Sequence, residues 1–139
     1  MNAAILEIAR QFAPPPTNLQ IGRIEDDYGK TEHAALFIDH HDPEAVDQEE
    51  LDYYSDVWFH LDTRSLLFYM YPVLRAVAEG KADQFVDYYF SCFQIWWPVI
   101  RKELSDEQVM EVHRALRDLF EQHPDVTDWE ELALTGFMD

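Results

Sequence analysis

The residues best suited to chemistry are four consecutive ones, Asp39, His40, His41 and Asp42. Carboxylates and imidazoles are good ligands for divalent metals, so this tetrad could hold a metal ion for a hydrolytic reaction. The same residues also fit an exposed loop, because Asp42 and Pro43 match the N-cap and the first position of a following helix. The sequence favours the loop, and a divalent-metal-dependent hydrolase is the alternative.

The Asp-His-His tripeptide at 39–41 resembles a signature of the DHH phosphoesterases. The resemblance implies hydrolysis of phosphate esters at a two-metal centre. In that family the tripeptide follows a strand and works beside separate aspartate motifs, whereas this chain has no Asp-x-Asp upstream of it. The chain is also far shorter than the two-domain body of the family. The tripeptide therefore carries no catalytic assignment over to this chain.

Cys92 is the only cysteine, so the chain can form neither an internal disulfide nor a two-cysteine metal motif. A reactive cysteine needs an electropositive and partly exposed setting. Aromatic residues surround Cys92 in the sequence and no Lys or Arg lies near it, which predicts an inert thiol in the core. The histidines are scattered, and none forms the His-Glu-x-x-His pattern of zinc proteases. We therefore expect no enzyme activity, no catalytic residue, no metal ligand and no cofactor.

Charge is the property that says most about partners. The chain has 28 Asp and Glu against 10 Lys and Arg, a formal net charge of −18. Nucleic acids and anionic membrane surfaces repel so acidic a chain, so a basic protein is the expected partner. The most apolar stretch, Leu66 to Val77, is too short to span a bilayer, and residues Met1 to Phe12 do not resemble a signal peptide. A cytoplasmic location is expected.

Carboxylates and aromatic rings are interleaved between Glu25 and Asp62, where Lys30 is the one basic residue among 13 acidic ones. Such charges speed the encounter with a basic partner, and aromatic rings supply the buried anchors of an interface. The alternative, a solvated face that only keeps the protein in solution, stays open. We place the three rings at 53, 54 and 58 at the centre of the contact. The predicted contact residues are Asp26, Asp27, Asp39, Asp42, Glu44, Asp47, Glu49, Glu50, Asp52, Tyr53, Tyr54, Asp56 and Trp58.

The hydrophobic periodicity predicts an all-α fold, a compact bundle of about five to six helices in a single domain, 1–139. Asp62 or Thr63 should cap one helix, and Ser105 with Gln108 forms a capping box at another. The loops between the last four helices are short, which favours antiparallel neighbours. The clearest helices are predicted at 3–12, 63–79, 82–97 and 105–122.

At prolines and in short apolar runs, hydrophobic periodicity does not determine the secondary structure. Pro72 should kink or divide its helix, and Pro98 should disturb the end of the next one. Residues 19–24 leave room for one short strand, and residues 31–38 fit a helix or a strand equally well. A last short helix should begin at Thr127, which could cap it.

A further helix is predicted to begin at Asp42 and Pro43. Leu51, Tyr54 and Trp58 follow at three- and four-residue steps, so they should line its inner face. This expectation places two of the three rings of the predicted contact toward the core.

The sequence Trp-Phe-His-Leu at 58–61, followed by Leu-Phe-Tyr-Met-Tyr-Pro-Val-Leu at 67–74, resembles small bacterial helical proteins of unknown function. In those proteins a Leu-Ser/Thr-x-x-Gln helix comes later, and residues 104–108 match it. The motifs are packing motifs, so this resemblance implies a helical fold and carries no catalytic residue.

The general character of the chain, small, acidic and without catalytic residues, is similar to that of the immunity proteins of bacterial polymorphic toxin systems. This likeness implies a non-catalytic inhibitor that neutralises a basic toxin or enzyme by occupying its anionic-substrate site. The alternatives are the metal-dependent hydrolase at 39–42 and an adaptor that forms homo-oligomers through surplus aromatic residues.

Overall fold

Helices are the regular elements of the part of the chain that the structure describes. The computed structural model describes residues 3–34 and 40–126, and within these ranges it contains no strand. The all-α prediction is confirmed. Single 3₁₀ turns lie at Pro43–Ala45, Trp58–His60 and Arg101–Glu103. The α-helices are α1 (Ala3–Gln11), α2 (Leu19–Asp26), α3 (Gln48–Tyr53), α4 (Thr63–Ala78), α5 (Gln84–Ile100) and α6 (Asp106–Gln122).

The ends of the long helices follow the capping signals in the sequence. The Asp62 side chain accepts the Ser65 N–H at the start of α4, at 2.9 Å. Ser105 and Gln108 form the predicted capping box of α6, each side chain accepting the backbone N–H of the other. Gly80 follows α4 with a φ of 72°, a conformation that glycine adopts without strain.

The short strand for which residues 19–24 left room does not form, because these residues form α2. The Asn18 side chain accepts the Ile21 N–H at 2.9 Å and so caps the helix. Gly22 lies against Val57 and Leu61, where an added Cβ would stand 3.0 Å from the Leu61 side chain. α2 therefore packs closely against the segment that carries Val57 and Leu61.

The helix expected from Asp42 onward is divided. Asp42 caps only the 3₁₀ turn Pro43–Ala45, and α3 begins after a second cap, Asp47, whose carboxylate accepts the Glu50 N–H at 3.1 Å. The predicted inner face is nevertheless correct, since residues 51, 54 and 58 are all buried.

α4 is the centre of the core. Every residue from Ser65 to Leu74 is buried, and the helix packs against α1 on one side and α5 on another. Pro72 does not divide it. α5 likewise continues through Pro98 as far as Ile100, beyond the end predicted at residue 97, because a proline in the last turn removes only one helical hydrogen bond.

Three expectations fall on residues outside the described ranges: the form of residues 35–38, the position of Asp39, and the helix expected at Thr127. None of the described helices is long and apolar enough to cross a lipid bilayer.

Candidate protein-binding surface

The Asp-His-His-Asp tetrad is only partly an exposed loop. His41 and Asp42 are exposed, as predicted, but His40 is buried, so the prediction is wrong for this residue. The His40 Nδ1 atom lies 2.6 Å from the Tyr69 hydroxyl, and its Nε2 atom lies 2.5 Å from a Glu50 carboxylate oxygen. His40 thus ties the chain before α3 to α3 and α4.

The hydrogen-bond directions in this buried cluster follow from the Tyr69 phenol. Burial raises the pKa of Tyr69 well above its usual range, so the phenol stays protonated. Its oxygen accepts the Leu19 N–H at 3.3 Å, and we assign its proton to His40 Nδ1. His40 then carries its own proton on Nε2 and donates it to Glu50. Both ring nitrogens of His40 and the Tyr69 hydroxyl have partners, which is the pattern of a structural network.

Glu50 therefore faces inward, and its side chain is only 22% exposed. Within the part of the chain that the structure describes, no group of three or more His, Cys, Asp or Glu is arranged to hold a metal ion. Both ring nitrogens of His40 contact protein groups, so the geometry gives the tetrad no support as a metal site.

Two of the three predicted aromatic anchors lie in the core, which corrects the predicted contact. Tyr54 and Trp58 have no exposed surface, and the Trp58 ring packs edge-on against Tyr69 and Tyr89. Neither ring is available to a partner. Tyr53 remains as the exposed anchor, at 43%, and its hydroxyl donates to the His33 carbonyl at 2.9 Å.

The outer side of α3 and the turn after it carry exposed acidic residues. Glu49, Asp52 and Tyr53 are exposed and lie three and four residues apart in α3, so they share one side of the helix, and Asp56 is exposed in the turn that follows. We call these four residues the α3 face. It contains three carboxylates and one aromatic ring.

A second helix contributes negative charge beside the α3 face. Partial burial raises the pKa of Asp52, the nearby Asp83 carboxylate raises it further, and a hydrogen bond from Gln48 opposes both effects. Asp83 is the N-cap of α5, where its side chain accepts the Gln84 N–H at 2.8 Å. Two carboxylates of different helices therefore share one small region of surface.

Asp26 joins the same region through two bridging side chains. Arg23 contacts Asp26 at 3.3 Å and Asp56 at 2.7 Å, and His60 contacts Asp26 at 3.0 Å. Arg23 thereby neutralises part of the charge and holds α2 beside the turn after α3. Asp27, which follows α2 and is also a predicted contact residue, contacts His33 at 3.1 Å.

The other predicted carboxylates cap helical turns or form ion pairs within the protein. Asp42 and Asp47 are caps, and Glu44 pairs with Arg10 of α1 at 3.1 Å. Arg75 of α4 also donates to the Glu44 carbonyl, at 3.0 Å. Asp42, Glu44 and Asp47 remain exposed, but the structure ties their segment to α1 and α4 rather than to the α3 face.

The prediction for Cys92 is confirmed. The thiol is buried and donates to the Trp58 carbonyl at 3.4 Å. Burial raises its pKa from 9.0 to about 12, so at neutral pH it carries no thiolate for nucleophilic attack.

Comparisons of the chain with protein-family models, with curated proteins and with solved structures find no match. The function must therefore be argued from the surface itself.

Two further rings that the sequence interleaves with these carboxylates are exposed, although the predicted contact does not include them. Phe59 is 52% exposed and Tyr28 is 96% exposed. Phe59 follows the buried Trp58 in a 3₁₀ turn, so one ring of the pair points inward and the other outward. The alternation could have been read from the helical step that placed Trp58 inside.

Proposed function

We propose that this chain is a non-catalytic binding module, an acidic inhibitor of the immunity type that occupies the anionic-substrate site of a basic toxin or enzyme. A bacterial source and a cytoplasmic location belong to the same proposal. The observation that supports it best is the α3 face, which combines the exposed carboxylates of Glu49, Asp52 and Asp56 with the exposed ring of Tyr53.

The charges of this region are arranged to be neutralised by a partner. Asp83 lies close enough to Asp52 to raise its pKa, so the two carboxylates repel each other in the free protein. A Lys or Arg from a partner would relieve that repulsion, and it would be attracted over a longer range by the net charge of −18. A site that binds phosphate groups through basic residues has the complementary charge.

The ring of Tyr53 supplies the apolar part of the contact. Its hydroxyl is already bonded to the His33 carbonyl, so the ring is held in place before a partner arrives. A pre-oriented ring loses little conformational entropy on binding. Phe59 adds a second exposed ring to the set that a partner could cover.

The hydrolase alternative loses support from the same geometry. His40 is buried and its two ring nitrogens contact Tyr69 and Glu50. A metal at this position would have to displace a satisfied hydrogen-bond network.

The test compares two triple variants with the same change in charge. The first, Glu49→Gln, Asp52→Asn and Asp56→Asn, neutralises the α3 face. The second, Asp118→Asn, Glu121→Gln and Asp125→Asn, neutralises three exposed carboxylates in and after α6. The probe is the purified basic protein encoded beside this gene, and calorimetry measures its binding at low and at high salt.

We expect saturable binding that weakens with salt and that inhibits the activity of the probe. Truncating one partner of a buried charge pair costs about 2–5 kcal/mol, so the α3-face variant should bind at least about thirtyfold more weakly, while the α6 variant binds like the wild type. Equal loss in both variants would reduce the effect to net charge. Binding that ignores salt, or no binding by the basic products of neighbouring genes, would refute the proposal.

A further inference from the structure

The outer side of α5 combines exposed apolar side chains with an absence of charge that is unusual for this chain. Tyr88, Ile95 and Val99 are 42%, 64% and 43% exposed and recur at seven- and four-residue steps, so they form one stripe along the helix. Trp96, 43% exposed, flanks the stripe. From Tyr88 to Ile100 the sequence contains no charged residue. We call the surface of Tyr88, Ile95 and Val99 the α5 stripe.

Charges of opposite sign stand at the two ends of the α5 stripe. Asp87 lies in the first turn of α5, and Arg101 and Lys102, the only adjacent pair of basic residues in the sequence, follow its last turn. Asp87 and Lys102 are exposed, and within the described ranges neither forms an ion pair. The stripe therefore has an acidic end and a basic end.

The spacing of these charges is nearly symmetric about Ile95. With a rise of about 1.5 Å per residue, Asp87 lies about 12 Å to one side of Ile95 and Lys102 about 11 Å to the other. If a second α5 packs antiparallel across a two-fold axis near Ile95, each Asp87 reaches the level of the opposite Lys102. The same arrangement brings the two Ile95 side chains together and sets Tyr88 opposite Arg101.

We propose that the α5 stripe is the interface of a homodimer in which two copies of α5 pack antiparallel about a two-fold axis near Ile95. A second copy fits better than a foreign protein because the stripe is self-complementary: its two charged ends match each other only when the helix is reversed. The location also limits the repulsion between two chains of −18, since residues 88–100 carry no charge and the ends of the stripe add Asp87 on one side and Arg101 and Lys102 on the other.

The interface is small, so the dimer is weak. One helix stripe buries less surface than the standard interface of about 800 Å² per partner, and we expect a dissociation constant in the micromolar range. Salt should strengthen the dimer, because it screens the repulsion between two acidic chains more than it weakens two local pairs. This salt dependence is opposite to that expected for a basic partner at the α3 face, so the experiments can refute either proposal without refuting the other.

Sedimentation velocity of the full chain over a range of concentrations tests the proposal. The wild type should shift from monomer to dimer, and Ile95→Glu should remain monomeric at every concentration without loss of folding, because this side chain is already mostly exposed. Met110→Glu, at a 62% exposed position of α6, is the matched control and should dimerise like the wild type. A wild type that stays monomeric throughout would overturn the proposal.

Two charge variants test the antiparallel register. Asp87→Lys and Lys102→Asp each place like charges opposite one another, so each should dimerise at least about threefold more weakly alone. Mixed together, they should form a heterodimer in which both pairs are restored. Dimerisation that Ile95→Glu abolishes but that neither charge variant weakens would contradict this register, and a dimer that survives Ile95→Glu would contradict the interface.

Discussion

The Tyr69 hydroxyl serves two buried groups at once, and its removal gives the sharpest test of the structure. It lies 2.6 Å from His40 Nδ1 and 3.3 Å from the Leu19 backbone nitrogen. Both partners are buried. Tyr69→Phe keeps the ring in place and deletes only the oxygen, so both groups lose the hydrogen bond that this hydroxyl makes.

The expected cost follows from the two buried hydrogen bonds that the substitution removes. A buried polar group that loses its partner costs about 1–3 kcal/mol. The short contact to His40 counts near the middle of that range and the longer one to Leu19 near its lower end, which gives about 3 kcal/mol. A domain of this size has a free energy of unfolding of roughly 7–20 kcal/mol, so the loss is easily measured.

Urea unfolding followed by circular dichroism measures this loss. With a denaturant slope of about 2 kcal/mol per molar urea, the midpoint should fall by about 1.5 M. Tyr71→Phe is the matched control: its ring packs under the Arg75 guanidinium at 5.4 Å, and its hydroxyl has no hydrogen bond to another described residue. It should change the free energy of unfolding by less than about 0.5 kcal/mol. If Tyr69→Phe were equally harmless, the assigned network would be wrong.

Two further predictions concern pH. The raised pKa of Asp52 means that its charged form is unfavourable in the folded protein. Asp52→Asn should therefore raise the Tm at pH 7 by about 1 °C. This gain in Tm should vanish below the ordinary carboxyl pKa of 3.8, because the wild-type carboxyl group is then protonated in both the folded and the unfolded state. Burial raises the pKa of Cys92 from 9.0 to about 12, so between pH 9 and 10 the unfolded chain loses a proton that the folded chain keeps. The free energy of unfolding should then fall by up to about 1.4 kcal/mol per pH unit, and a Cys92→Ala variant that showed the same slope in urea melts at both pH values would refute this cause.

The parts of the fold that local chemistry decides could be predicted from the sequence. Asp62 and the Ser105–Gln108 pair mark helix starts, because the side-chain oxygen of an N-cap residue accepts a backbone N–H of the first turn that has no partner within the helix. α2 also has a local cap, Asn18, but its short apolar run fits a strand as well. The close approach of Gly22 to Val57 and Leu61, residues more than thirty positions away, could not be predicted from the local sequence.

The candidate site shows a conflict between two arguments. Helical periodicity placed Tyr54 and Trp58 on the inner face, whereas their position among carboxylates suggested a partner contact. The structure agrees with periodicity. Burying such large rings stabilises the folded chain, whereas rings kept for a partner would be exposed to water until the partner binds. The contact between His40 and Tyr69 joins residues 29 positions apart, so it could not be predicted from a local sequence pattern.

The tryptophans give the chain an optical consequence. Trp58 and Trp97 are buried, whereas Trp96 is 43% exposed beside the α5 stripe. Once Trp129, which lies outside the described ranges, is replaced by Phe, a neutral quencher such as acrylamide should reach Trp96 well before the other two indoles. The red edge of the emission then reports on one side of one helix, and the blue edge reports on the interior.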